Sequence, residues 1–152
     1  MVSSYTASPS MNCASPHMPK PMRTRAVSGA QVRAYAGKAE EYATAAANEL
    51  KAERYIAATS LAIHAAINAA DAVCGARLGQ RAAGEDHDQV LTLLKQAGAD
   101  GATLDKELRR LLPLKTKTEY EPDDVAPSVA TKAVERALRC VAVARAAASA
   151  AR

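Results

Sequence analysis

The chain has 152 residues, enough for one buried core. About a quarter of it is alanine, with no Phe, no Trp and only seven Gly, which excludes a sheet-based fold and predicts an all-α one. Of its net charge of +4, Lys20, Arg23 and Arg25 supply three charges in an N-terminal stretch without acids, so the body is nearly neutral and offers no globally basic nucleic-acid surface.

Residues 1–27 hold Pro9, Pro16, Pro19 and Pro21, many serines and almost nothing aliphatic. Such a segment buries too little surface to offset its chain entropy and is expected to be a disordered tail, leaving 28–152 as the domain. Cys13 and His17 within it have a C-x3-H spacing, but zinc needs more ligands than the tail offers. Ser28 with Gln31 has the form of a capping box and predicts a first helix running to about Leu50, where "LKAER" breaks the pattern. A second helix over about 54–76 is apolar nearly all round, from Ile56 to Val73, and ends near Gly75–Gly79. A helix of that kind is normally the most buried one. Its exceptions, Ser60, His64, Asn68 and Asp71, recur at helical spacing and so share one stripe. That stripe is either a solvated strip of hydrogen-bonded side chains or the wall of a site or subunit interface.

Asp86 with Gln89 repeats the capping-box form and opens a short third helix carrying Val90, Leu91, Leu93 and Leu94 towards Gly98. A fourth is predicted from about Thr103 to Lys117, kinked or divided at Pro113, which has no amide hydrogen to donate. Its basic run, Lys106, Arg109, Arg110, Lys115 and Lys117, precedes the acidic Glu119, Glu121, Asp123 and Asp124, and such a run is usually a solvated face. The last helix starts near Pro127–Ser128. Five helices with short connections make a bundle whose first two form a long antiparallel pair. Cys13, Cys74 and Cys140 are odd in number and form no CxxC, so no disulfide framework is expected, and the last two read as buried thiols. No apolar run reads as long enough to cross a membrane, and the N-terminus lacks a secretory apolar region. The expectation is a cytoplasmic protein with no membrane partner and no cofactor or metal.

An alanine-rich helical pair, "RAAGEDH" with five residues between Arg81 and His87, then "LLPLKTKTEYEP" and a final amphipathic helix resemble the HEPN superfamily, in particular its small stand-alone bacterial members. The resemblance covers about residues 29–148. Roughly 0.7 matches to the motif's allowed spacings are expected by chance in such a chain, so the weight lies in its position between the second and third helices. The resemblance implies a metal-independent endoribonuclease, toxin-like or defence-related, with a site formed where two copies of the motif meet in a homodimer. It also implies RNA as substrate and, for toxin-like members, an antitoxin or other partner protein. Arg81 and His87 would be the catalytic pair. Active members often carry a polar residue directly after the arginine, where this chain has Ala82.

The residue types suit that chemistry. When the 2′-hydroxyl of RNA attacks the adjacent phosphorus, a base and an acid must move protons, and histidine titrates in the right range. Arginine stays charged and can hold two phosphate oxygens at once. Arg77, Lys115 and Lys117 are further candidates for phosphate contact, while His64 and Asp71 on the second-helix stripe are candidates to orient the pair. At the start of the third helix the dipole lowers the His87 pKa while Glu85, Asp86 and Asp88 raise it, a balance left open by the sequence. Two other readings are a non-catalytic HEPN-like module binding RNA, a nucleotide or a protein, and a structural bundle whose polar stripe is a subunit interface.

Overall fold

The computed structural model describes residues 22–84 and 86–151. Its helices are α1 (Gly29–Lys51), α2 (Tyr55–Leu78), α3 (His87–Leu94), α4 (Gly98–Tyr120) and α5 (Pro127–Ala150), joined by two short strands, β1 (Thr24–Ala26) and β2 (Gln80–Ala82). The all-α bundle predicted from composition is what these residues build.

Local chemistry explains most of the boundaries. Ser28 caps α1 with both halves of the capping box formed, its hydroxyl accepting from Gln31 N at 3.2 Å and its own amide donating to Gln31 Oε1 at 2.9 Å. After Lys51 the chain reverses through Glu53, whose φ is 62°, as the Glu53 and Arg54 amides donate back to the Leu50 and Glu49 carbonyls. That pair of bonds is a Schellman closure. Gly79, at φ 70°, ends α2 in the left-handed conformation that glycine adopts without penalty. Pro127 occupies the first turn of α5, where a missing amide hydrogen costs nothing.

α2 is the axis of the bundle, packed against α1, α4 and α5 and touching α3 and β2. Alanines line much of it, including Ala58, Ala62, Ala65, Ala66, Ala69 and Ala70, so its neighbours approach closely. Where α2 meets the chain before α1, a Cβ on Gly75 would lie 2.8 Å from the Val27 and Val32 side chains. Larger residues fill the α3–α4 side, with Leu94, Leu104, Leu108 and Leu111 fully buried. Cys74 and Cys140 are free and buried, and burial pushes both thiols up to about 12.

Four expectations change. β1 lies inside the stretch assigned to the tail, so the folded part of the chain reaches back past residue 28; residues 1–21, with the Cys13–His17 pair, fall outside the described residues. β1 pairs antiparallel with β2, Thr24 opposite Ala82, Arg25 opposite Arg81 and Ala26 opposite Gln80. α4 is not divided: it starts at Gly98 and runs through Pro113, which sits on the exposed side where water can take the carbonyl its ring leaves unbonded. Finally, α2 is long and apolar enough to cross a membrane by length and composition, contrary to the reading of the sequence, yet more than half of its apolar window is buried inside the bundle. Its hydropathy follows from its central position.

Candidate functional site

The polar stripe of α2 forms the floor of the site. Ser60, His64, Asn68 and Asp71 are all half-buried, so the stripe is neither core nor a fully solvated strip. Ser60 opens into a cleft of about 610 Å³ at the α1–α2 turn, whose other walls include Ile56, Thr118 and Val125. Asn68 turns back onto the helix, its Nδ2 donating to the His64 carbonyl at 2.8 Å. His64 stands between two neighbouring helices. Its ring lies 5.6 Å from that of Tyr42 on α1, and its Nε2 is 3.9 Å from a carboxylate oxygen of Glu119 on the last turn of α4.

Asp71, seven residues along α2 from His64, marks the other end. Burial raises its carboxyl to about 6, while Arg81 and Lys38 act in the opposite direction. A buried acid near a fixed cation is a common mark of a functional site. The Arg81 guanidinium lies 5.6 Å from the centre of the Tyr35 ring and donates through Nη1 to the Ala82 carbonyl at 3.1 Å. Tyr35 and Tyr42 are seven residues apart and therefore lie two turns apart on one face of α1. One tyrosine steadies the arginine end of the site, the other the histidine end.

His87 is the first residue of α3. Asp86 caps the helix, its carboxylate accepting from Asp88 N at 2.9 Å. Neither half of the expected capping box forms: the Asp86 carboxylate takes the amide of Asp88 rather than that of Gln89, and Gln89 Oε1 is buried without a hydrogen-bond partner among the described residues and points towards Gly84. His87 Nε2 lies 3.1 Å from Lys115 Nζ. An ammonium has donors only, so this bond requires Nε2 to accept and places the imidazole proton on Nδ1. Burial first, then the Lys115 charge, hold the His87 pKa below its ordinary value, against Asp86, Glu119 and Asp88. The balance left open by the sequence is thus decided first by burial, with a charge on another helix adding to it, and His87 is neutral at neutral pH.

Lys115 and Glu119 are one turn apart on α4 and share a face, so His87 and His64 dock on neighbouring turns of the same helix. The structure therefore brings His64, His87, Lys115 and Glu119 together at one end and Asp71 with Arg81 at the other, the two ends linked by the α2 stripe. Among the described residues, no hydrogen bond or ion pair joins Arg81 directly to His87. Arg77 is engaged elsewhere: its Nε donates to Asp100 at the start of α4 at 2.9 Å, and its Nη2 bonds the same oxygen. Lys117 is half-buried and makes no ion pair among the described residues.

Sequence reasoning missed Tyr35, Lys38, Tyr42 and Glu119. The first three recur at helical spacing on α1, a signal as legible as the α2 stripe. Glu119 was absorbed into an acidic run. The alanine after Arg81 has a structural reason: Ala82 is buried on β2 opposite Thr24, where a polar side chain would need its own partner.

These features define an α-helical module whose polar face is built around the junction between its central helix and the one that follows. The HEPN domain family model matches residues 32–147, and the chain belongs to that family. No curated protein matches the chain.

Proposed function

We propose that this HEPN-domain protein is a metal-independent endoribonuclease, acting in the cytoplasm as a homodimer in which two copies of the Arg81–His87 site face each other. The observation that carries this reading is the Lys115–His87 contact, which keeps a neutral imidazole with an accepting Nε2 beside a cation. When RNA enters, Lys115 moves onto a phosphate oxygen and leaves the Nε2 lone pair open to the 2′-hydroxyl. His87 takes that proton, the 2′-oxygen bonds to phosphorus, and the bond from phosphorus to the 5′-oxygen breaks. The products are a 2′,3′-cyclic phosphate and a 5′-hydroxyl, the departing oxygen taking its proton from water while the imidazolium formed at His87 returns its own to the solvent. Arg81, steadied by the Tyr35 ring, holds the non-bridging oxygens on which charge develops. Asp71 orients Arg81 from below, and His64 with Glu119 closes the histidine end. Lys117 contacts a neighbouring phosphate; Arg77 does so only by leaving Asp100. The free thiols Cys74 and Cys140 suit a reducing compartment.

End-labelled RNA incubated with the protein in excess EDTA tests this. Cleavage that survives EDTA and disappears in both Arg81→Ala and His87→Ala supports the nuclease. The second reading, a non-catalytic module that binds RNA, a nucleotide or a partner protein such as an antitoxin, is favoured by Ala82, buried where active relatives often carry a polar residue. RNA binding without cleavage across varied substrates selects it.

A further inference from the structure

The strand that composition assigned to the tail places a second arginine beside Arg81. Arg25 of β1 is its cross-strand partner in the antiparallel ribbon. The flanking backbone bonds, Val27 N to Gly79 O at 2.9 Å and Ala83 N to Arg23 O at 2.8 Å, fix the alternation of the ladder. By that alternation Arg25 and Arg81 form a hydrogen-bonded pair, with Cα atoms about 5.5 Å apart and side chains on the same face. Arg23, two residues before Arg25, shares that face and is the diagonal neighbour of Arg81. The ribbon is held to the bundle by Val27, which is buried against Gly75.

Like charges placed directly opposite each other destabilise a ribbon. Among the described residues no carboxylate forms an ion pair with Arg23, Arg25 or Arg81, and the acid felt by Arg81, Asp71, lies on α2 rather than on the ribbon. Arg23 and Arg25 are exposed and Arg81 is half-buried. A polyanion laid across this face would turn the repulsion into attraction, each guanidinium taking oxygens from adjacent phosphates. We infer that Arg25, with Arg23, forms a phosphate clamp together with Arg81 that binds the backbone of single-stranded RNA next to the phosphate at the reaction centre. The inference rests on the ribonuclease reading for the identity of the ligand, and on the strand register for the site.

The full chain is titrated with fluorescent 2′-O-methyl RNA, which binds but cannot be cut, at several salt concentrations. Arg25→Gln should weaken binding several-fold at low salt and reduce the slope of log K against log salt by about 0.7, one single-strand phosphate contact. Arg25→Lys should keep most of the slope, and Arg33→Gln, on the exposed face of α1, should leave it unchanged. Without ligand, the melting temperature of Arg25→Gln should equal or exceed that of the wild type, because a repulsion has been removed. A merely structural arginine would lower it. An unchanged slope in Arg25→Gln, or a lowered melting temperature with the slope intact, overturns the clamp. A second arm separates the clamp from the nuclease reading. Sodium tripolyphosphate should raise the wild-type melting temperature, and less so in Arg25→Gln and Arg81→Gln. If it does while RNA neither binds nor is cleaved, the clamp stands and the RNA reading fails. If neither RNA nor tripolyphosphate responds to Arg25, the clamp fails.

Discussion

Asp71 occupies a position that costs the protein stability. Its folded-state pKa of about 6 lies above the ordinary carboxylate value, so between the two values the folded chain binds the proton more tightly than the unfolded one. Stability from this group is therefore present at low pH and lost as pH rises through about 6. Asp71→Asn removes that dependence, and its stability relative to wild type should rise between pH 4 and pH 7, measured by denaturant unfolding at each pH. His87 behaves in the opposite sense. Its folded pKa is depressed, so the unfolded chain protonates first and His87 makes the fold less stable as pH falls through its ordinary range. On the proposed ribonuclease reading, in which His87 is the base, the same depression sets the acid limb of activity. Lys115→Ala removes one of the two causes of the shift, and the acid limb of the kcat/KM profile should move to higher pH, towards the ordinary histidine value. An acid limb that does not move would separate Lys115 from the base. At this scale the sequence singles out Arg81 and His87 as the proposed pair because they fall in one short segment. It was silent on Lys115 as the partner of His87, because 28 positions separate them and only the packing of α3 on α4 joins them.

Single helices show where pattern and backbone agree. The α1–α2 turn uses Glu53 where its φ of 62° favours glycine, and the Glu49 carboxylate gripping Arg54 on the same turn compensates. Glu53→Gly should raise stability by up to about 1 kcal/mol, read as an increase in melting temperature, since the left-handed penalty exceeds the entropy glycine adds to the unfolded chain. Gly101 is the contrary case. A Cβ there would lie 2.0 Å from the Leu94 carbonyl oxygen, where the end of α3 packs on the start of α4. Gly101→Ala should cost about 1–3 kcal/mol despite the better helix propensity of alanine. Helix starts at Ser28, Asp86 and Pro127 were readable from capping residues and proline. The start of α4 was not: Ala97 caps it without a side-chain hydrogen bond, so nothing local announces it. The strands were equally hidden. Three residues of Thr-Arg-Ala and three of Gln-Arg-Ala carry no alternation of apolar and polar residues, and each becomes a strand only because the other is there.

Across the whole molecule, one ionic cluster ties α4 to α5. Glu107 is 4% exposed and accepts from Arg136 at 2.7 Å and Arg139 at 2.8 Å, bonds that lower its pKa, foremost that with Arg139. Its contribution is present above the ordinary carboxylate range and lost as pH falls through the depressed value. Glu107→Ala should cost about 2–3 kcal/mol at pH 7, less than a fully buried pair would, because both arginines can turn to solvent. The alanine lining of α2 has a different consequence, for how this protein can change. Most interiors are weakened by removing atoms, but Ala62, Ala66 and Ala70 have almost nothing to remove and no room to grow. Ala66→Leu should destabilise more than Ala66→Gly, about 1–3 kcal/mol or more for the added carbons against about 1 kcal/mol for lost helix propensity. In this bundle, variation that survives will accumulate at the rim and the loops, and growth of any side chain along the axis will be felt by three helices at once.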